Sequence, residues 1–171
     1  DMGFTHFKMD LQKRLYQHKP GALSGQSPTD KGYAYMGEFV EAVRNVIGYD
    51  KVLGADHFGY LNVDDGIRLG KAMEKYSLAY IEDVINWDRT NSVQLNKMIT
   101  DGSPTPTLNG EDLFGFDAFR PWIENHAVDI IHPDLASSGG LLETKRIGDY
   151  AEEKGIAMAM HQAGTPVSFM A

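Results

Sequence analysis

Two hydrophobic periods take turns along this chain. Short apolar or alternating runs predict strands at GFTHFKMDL (3–11), KVLGAD (51–56), LAYIEDVI (78–85), PTPTLNGE (104–111), VDIIHPDL (128–135) and GIAMAMH (155–161). Between them the spacing turns helical. Phe39, Val40, Val43, Val46 and Ile47 predict an amphipathic helix that stops near Gly48. Ile67, Met73 and Tyr76 predict a second, capped by Asn62 or Asp64; Val93, Leu95, Met98 and Ile99 predict a third, capped by Asn91 or Ser92. Phe116 to Ile123 reads as a short aromatic helix and Leu141 to Lys154 as the last. The fourth strand is the weakest, because its prolines remove ladder donors.

Strict alternation of strands and helices predicts a parallel sheet with right-handed crossovers. Two α/β architectures fit: an open doubly wound sheet and a (β/α)8 TIM-type barrel. The barrel is favoured, because a polar residue ends almost every strand: Asp10, Asp56, Glu82, Glu111, Asp134 and His161. Barrel sites draw on many strands in this way, whereas a doubly wound sheet concentrates its site at one switch point, often behind a glycine-rich turn. Neither GxGxxG nor GxxxxGK[ST] occurs here. Six strands are countable and a barrel needs eight, so the expectation is an incomplete barrel of about six β/α units, a segment of a larger domain. The polar stretch from Gln12 to Lys31 predicts a long loop, taken with its flank (12–35) as one that closes over an active site, with His18 and Tyr33 or Tyr35 reaching substrate. An ordinary surface excursion fits equally.

Composition narrows the function more than the fold. At 171 residues, 42% hydrophobic and 23% charged, the chain suits one domain with a real core. It has no cysteine, which excludes disulfides and thiolate metal sites. No apolar run is long enough to span a bilayer, and the chain opens on Asp1 without a signal-peptide pattern, leaving room for an absent N-terminal portion. A cytoplasmic protein is expected. The formal net charge of −8, without a basic cluster, argues against nucleic acid and anionic membrane as partners. An anionic substrate therefore needs locally focused positive charge, such as a metal ion and a lysine.

The acids supply the candidate chemistry. Asp56, Glu82 and Glu111 are separated by 26 and 29 residues, about one strand, one helix and two loops. That period places each carboxylate at the same height on neighbouring parallel strands. Three converging oxygen ligands suit a hard divalent cation such as magnesium. His6, Lys8 and Asp10 share one face of the first strand.

Taken together, GFTHFKMD, the acids Asp56, Glu82 and Glu111, Asp134 in HPDLASSGG and His161 in AMHQAGTP resemble the barrel domain of the enolase superfamily. Within it they are most similar to the mandelate racemase / muconate lactonizing enzyme group, above all its sugar-acid dehydratases. The resemblance implies strands two to seven of the barrel, with the α+β capping domain and the eighth-strand glutamate outside this segment. It implies Asp56, Glu82 and Glu111 as Mg2+ ligands, Lys8 as the first lysine of the KxK motif, and Asp134 with His161 as the His–Asp dyad. Asp10 stands where the second, catalytic lysine belongs, a departure from the pattern.

The reaction so implied is removal of a proton α to a carboxylate, giving an enediolate stabilised by the metal and by Lys8. His161 is the expected base or acid, its tautomer set by Asp134. A racemase needs two bases, one on each face; with Asp10 in place of lysine, dehydration of a small sugar acid is expected over racemisation, epimerisation or cycloisomerisation. A catalytically incompetent barrel fragment is the remaining alternative, and homo-oligomers or association through open sheet edges would cover unpaired strands. His57 reaches substrate only if its strand ends at Asp56. Asp10 reads equally as a catalytic group and as an ion-pair partner of Lys8. His6 and His132 read as structural, and Trp87, Trp122 and Phe119 as packing residues.

Overall fold

The computed structural model of the protein describes residues 3–57, 59–85 and 92–171. In chain order its elements are β1 (His6–Asp10), a 3-10 turn (Lys13–Leu15), β2 (Leu23–Ser24), β3 (Ser27–Pro28), α1 (Asp30–Ile47), β4 (Val52–Asp56), α2 (Val63–Met73) with a 3-10 turn (Glu74–Tyr76), β5 (Tyr80–Glu82), α3 (Val93–Gly102), β6 (Thr107–Asn109), α4 (Phe116–Glu124), β7 (Ile130–Ile131), α5 (Gly140–Glu153), β8 (Ala157–Met158) and α6 (Pro166–Met170). The predicted alternation is therefore present. Six strands pair in parallel in the order β1-β4-β5-β6-β7-β8, each beside the next of the six along the chain.

The register fixes what faces what. His6, Phe7, Lys8, Met9 and Asp10 pair with Val52, Leu53, Gly54, Ala55 and Asp56. Gly54 and Asp56 in turn pair with Tyr80 and Glu82. A Cβ on Gly54 would lie 2.2 Å from the Tyr80 ring, so only glycine lets Tyr80 lean across β4 toward β1.

Residues 12–35 depart from a plain loop. The stretch carries the two-stranded β2–β3 hairpin, and its last six residues already belong to α1, whose N-cap Thr29 accepts from Gly32. Thr29 and Asp30 form a start signal that outweighs the glycine beside them. Tyr33 is buried, its hydroxyl 3.1 Å from the Asp65 carbonyl oxygen, and the Tyr35 hydroxyl donates to Pro20. The other caps fall where expected: Asn62 accepts from Asp65 and Ser92 from Leu95. Asn91 and Trp87 lie outside the described residues.

Helix α1 buries a different face from the one its apolar residues predict. Tyr33, Met36, Val40 and Arg44 point inward, while Val46 is 85% exposed. The reason is Arg44, a core position that a hydrophobicity pattern cannot see. Its guanidinium is buried and donates to the carbonyls of Tyr76, Gly48, Lys51 and Ser77 at 2.6–3.1 Å. It thus ties the end of α1 to the turn before β5. Arg44→Met leaves those carbonyls without a donor and is expected to lower unfolding free energy by about 2–4 kcal/mol in a denaturant titration. A loss below about 0.5 kcal/mol, the usual range for an inert surface change, would contradict this role.

Two clusters make the core. One packs Leu11, Val40, Leu53, Leu69, Ile81 and Ile99 beneath β1, β4 and β5. The other packs Phe119, Trp122, Ile123, Ile131 and Ile147 around β7, α4 and α5, so Phe119 and Trp122 are core residues, as is Phe116 of the same helix. Among the described residues no helix is long and apolar enough to cross a membrane.

Candidate active site

Glu82 is the centre of the site. It ends β5, is fully buried, and its Oε1 takes 2.9 Å from Lys8 Nζ. Lys8 also stands 3.5 Å from Asp56 Oδ2 on the strand between, as the register dictates. Burial alone would push the Glu82 carboxyl up, but the adjacent His132 and Lys8 more than offset it and hold it below the usual carboxylate range. Lys8 shows the mirror image: burial lowers it, Glu82 and Asp56 raise it further, and it stays an ammonium. Glu82 Oε2 is buried without a partner among the described residues.

Asp10 does not pair with Lys8. Its carboxylate is half exposed and lies 3.7 Å from Arg14 and 3.3 Å from Gln12. Lys8 leans toward the deeper, more negative neighbours instead. His57 is also corrected. It sits 1% exposed under the Tyr60 ring, centroids 4.7 Å apart, with both ring nitrogens unpartnered among the described residues. Burial pushes it down to about 3, so it is a neutral interior ring and not a substrate-facing group. β4 ends at Asp56, yet the His57 N–H still donates to the Glu82 carbonyl, so the ladder runs on by one residue and alternation turns His57 to the other face.

Glu111 is at the site but not at the height of the other two acids. Asp56 pairs with Glu82, and Glu82 pairs with Leu108. Glu111 lies beyond Asn109, where β6 ends, in a turn opened by Gly110 at φ +131°. A Cβ on Gly110 would lie 2.9 Å from the Phe119 ring, so the chain turns there because glycine permits it. Asp83 fills the place beside the other acids. At φ +46° it breaks the strand alternation immediately after Glu82, and its carboxylate comes close to those of Asp56 and Glu82. Such a conformation in a non-glycine residue is costly and clusters at functional sites. Burial first, then the charges of Glu111, Glu82 and Asp56, push the Asp83 carboxyl up to about 8.

Beside Glu111 stands a histidine held by a second carboxylate. His161 Nδ1 lies 2.8 Å from Asp134 Oδ2, and its Nε2 lies 3.0 Å from Glu111 Oε2. Residues 134 and 161 form an isolated parallel bridge just beyond β7 and β8. Burial would push Asp134 up, but the Ala136 and Ala163 N–H groups and His161 hold it below the usual range. It is therefore an ionised anchor for the ring. His132 is drawn in as well: buried, edge-on to His161 at 5.2 Å, with Nε2 3.3 Å from Glu82 Oε1. Read from sequence as structural, it faces the acids. His6 stands at the rim, 3.4 Å from the Tyr80 hydroxyl.

A cavity of ≈ 580 Å³ lies among these groups, lined by His6 and Lys8 of β1, by Tyr80 and His132, and by residues 159–162 and Phe169. The two edges of the sheet thus face one space, with an ammonium on one side and an imidazole on the other. The carboxylates form two groups, each with ligand atoms close enough to hold a cation: Asp56, Glu82 and Asp83, and Glu82, Glu111 and His132. Oxygen donors of this kind, one with an unpartnered atom, suit a hard divalent ion. Asp83 and His132 were missed from sequence for different reasons. Asp83 follows Glu82 directly, where alternation predicts the opposite face. His132 precedes Asp134 by two, and that spacing was the available signal.

The chain matches the family model described as enolase C-terminal domain-like over residues 1–171. It is 34% identical over 171 residues to the D-xylonate dehydratase of Haloferax volcanii, covering 100% of this chain and 40% of that protein. It is 30% identical over 165 residues to the D-gluconate/D-galactonate dehydratase of Picrophilus torridus, covering 96% and 39%. A mandelate racemase/muconate lactonizing enzyme-like protein from Rubrobacter xylanophilus superposes with a TM-score of 0.84 at 27% identity, covering 97% of this chain and 41% of that one. The chain thus spans about two fifths of the length of these relatives. With that family model matched over residues 1–171, the chain belongs to the enolase C-terminal domain-like family.

Proposed function

We propose that this site removes the proton α to the carboxylate of a sugar acid and expels the β-hydroxyl as water, a magnesium-dependent dehydration. The observation that carries the reading is the placement of His161, anchored by ionised Asp134 through Nδ1 and facing the cavity whose far side carries Lys8. The two relatives named above are both sugar-acid dehydratases. The sheet, whose edges face one cavity, reads as strands two to seven of a (β/α)8 barrel.

The residues proposed to hold Mg2+ are Asp56, Glu82 and Glu111, with Asp83 beside Asp56 and Glu82. The donor set fits: it is rich in oxygen, and an ammonium already stands between Asp56 and Glu82. When bound, the ion supplies positive charge that offsets the charge developing on the substrate's carboxylate oxygens. Lys8 adds a second cationic contact there. His161 Nε2 takes the α-proton, leaving an enediolate. The same imidazolium then gives its proton to the departing β-hydroxyl, which leaves as water, and the enol tautomerises to the 2-keto-3-deoxy acid. One histidine suffices for both transfers because the anchored Nδ1 keeps the ring in place. Racemisation would need a base on the opposite face. Lys8 is there, but held as an ammonium by Glu82 and Asp56 it has no lone pair to take a proton, and Asp10 is turned to Arg14.

The test is incubation of the protein with Mg2+ and a panel of aldonic and aldaric acids, with detection of 2-keto-3-deoxy products. Product formation from at least one acid is expected. Exchange of the α-proton with solvent deuterium, without water loss, would assign the site to the racemase reading. Mg2+ binding with neither outcome would reduce the segment to a metal-binding scaffold.

A further inference from the structure

We propose that His132 is a metal ligand: its Nε2, with Glu82 and Glu111, forms a nitrogen-containing cation position that takes first-row transition metals in preference to magnesium. The argument starts from the tautomer. His132 Nδ1 lies 2.8 Å from the Ala159 carbonyl oxygen. A carbonyl only accepts, so Nδ1 carries the hydrogen. Nε2, the ring's other nitrogen, is directed at Glu82 and is the atom whose lone pair a cation would take.

That lone pair has no proton partner. Nε2 is 3.3 Å from Glu82 Oε1, yet no aligned hydrogen bond joins them, and His132 Nε2 and Glu82 Oε2 are both buried without a partner among the described residues. Two buried acceptors left unsatisfied side by side are rare in a folded chain. A cation resolves both. Glu82, Glu111 and His132 each offer one ligand atom, all within 4.8 Å of one another. The outer contact completes the pattern, since metal-bound histidines donate their second ring N–H to a carbonyl or carboxylate, which fixes the tautomer. Imidazole shifts preference away from magnesium and toward the later first-row metals such as cobalt, nickel and zinc. This position shares Glu82 and Glu111 with the magnesium site proposed above, but it does not rest on the dehydratase reading.

Pulsed EPR of the Mn2+-loaded protein tests it directly. Coupling of the electron spin to an imidazole nitrogen is expected in the wild type, lost in His132→Gln and retained in His161→Asn. Calorimetric titration gives a second readout: His132→Gln is expected to weaken Co2+ and Zn2+ binding by about 10–100-fold and to leave Mg2+ affinity unchanged. Absence of nitrogen coupling in the wild type would overturn the proposal without any variant having to fold. So would coupling that survives His132→Gln but disappears in His161→Asn, or an equal loss of Co2+ and Mg2+ affinity in His132→Gln.

Discussion

Replacing His161 with asparagine is expected to lower kcat by about 10²–10⁴-fold, the range a positioned proton-transfer group contributes, with KM little changed. Asparagine retains a polar side chain of similar reach, so the contact to Asp134 survives in part. What it cannot do is accept a proton. The split between kcat and KM separates a chemical role from a structural one, because a ring that merely packed would disturb both. Asp134→Asn is expected to give a smaller loss. Its amide can still meet the ring, but it no longer favours the tautomer with hydrogen on Nδ1, and it withdraws the anion held below its usual range by the Ala136 and Ala163 amides. Steady-state kinetics on the sugar acid that turns over, with deuterium exchange at the α-carbon, checks both variants. Exchange that continues at the wild-type rate in His161→Asn would remove His161 as the base and shift the search to Lys8.

How much of this was legible beforehand varies with the kind of signal. The six strands and their order followed from period alone, because a parallel sheet buries both faces and its runs stand out. Asp56 and Glu82 followed from their strand ends, and the structure pairs them in register. Glu111 was found by the same period but misplaced in height, since a turn at Gly110 carries it past the strand. Its neighbourhood is set by φ, not by spacing. Asp83 was invisible for a related reason: a left-handed residue after a strand overrides alternation, and nothing in the letters IED announces it. Arg44 hid the inner face of α1 because its burial depends on four carbonyls contributed by other segments. Periodicity reports local geometry. Backbone reversals and polar cores depend on tertiary context, and the site uses both.

The largest effect on metal binding is expected at Glu82. With Mg2+ at about 100 times its dissociation constant, binding to the folded state alone adds about 2.7 kcal/mol of stability. For a chain of this size that is roughly a 5–10 °C rise in Tm. Glu82→Gln is expected to abolish the rise. No other acid among the described residues is so placed: Glu82 is fully buried, belongs to both candidate cation groups, and keeps one oxygen without a partner. Glutamine fills the same volume but brings a neutral amide, which cannot balance a divalent ion. The metal-free protein should change less, because two terms oppose. Lys8 loses its 2.9 Å partner but keeps Asp56, while the crowd of carboxylates that raises Asp83 to about 8 loses one member. Asp10→Asn is the control. That carboxylate faces Arg14 and Gln12, so its removal should leave the Mg2+-induced rise intact. Differential scanning fluorimetry with and without Mg2+ reads all three proteins. A full rise in Glu82→Gln would place the ion elsewhere, and loss of the rise in Asp10→Asn would mean that the first strand contributes a ligand where the second lysine was expected.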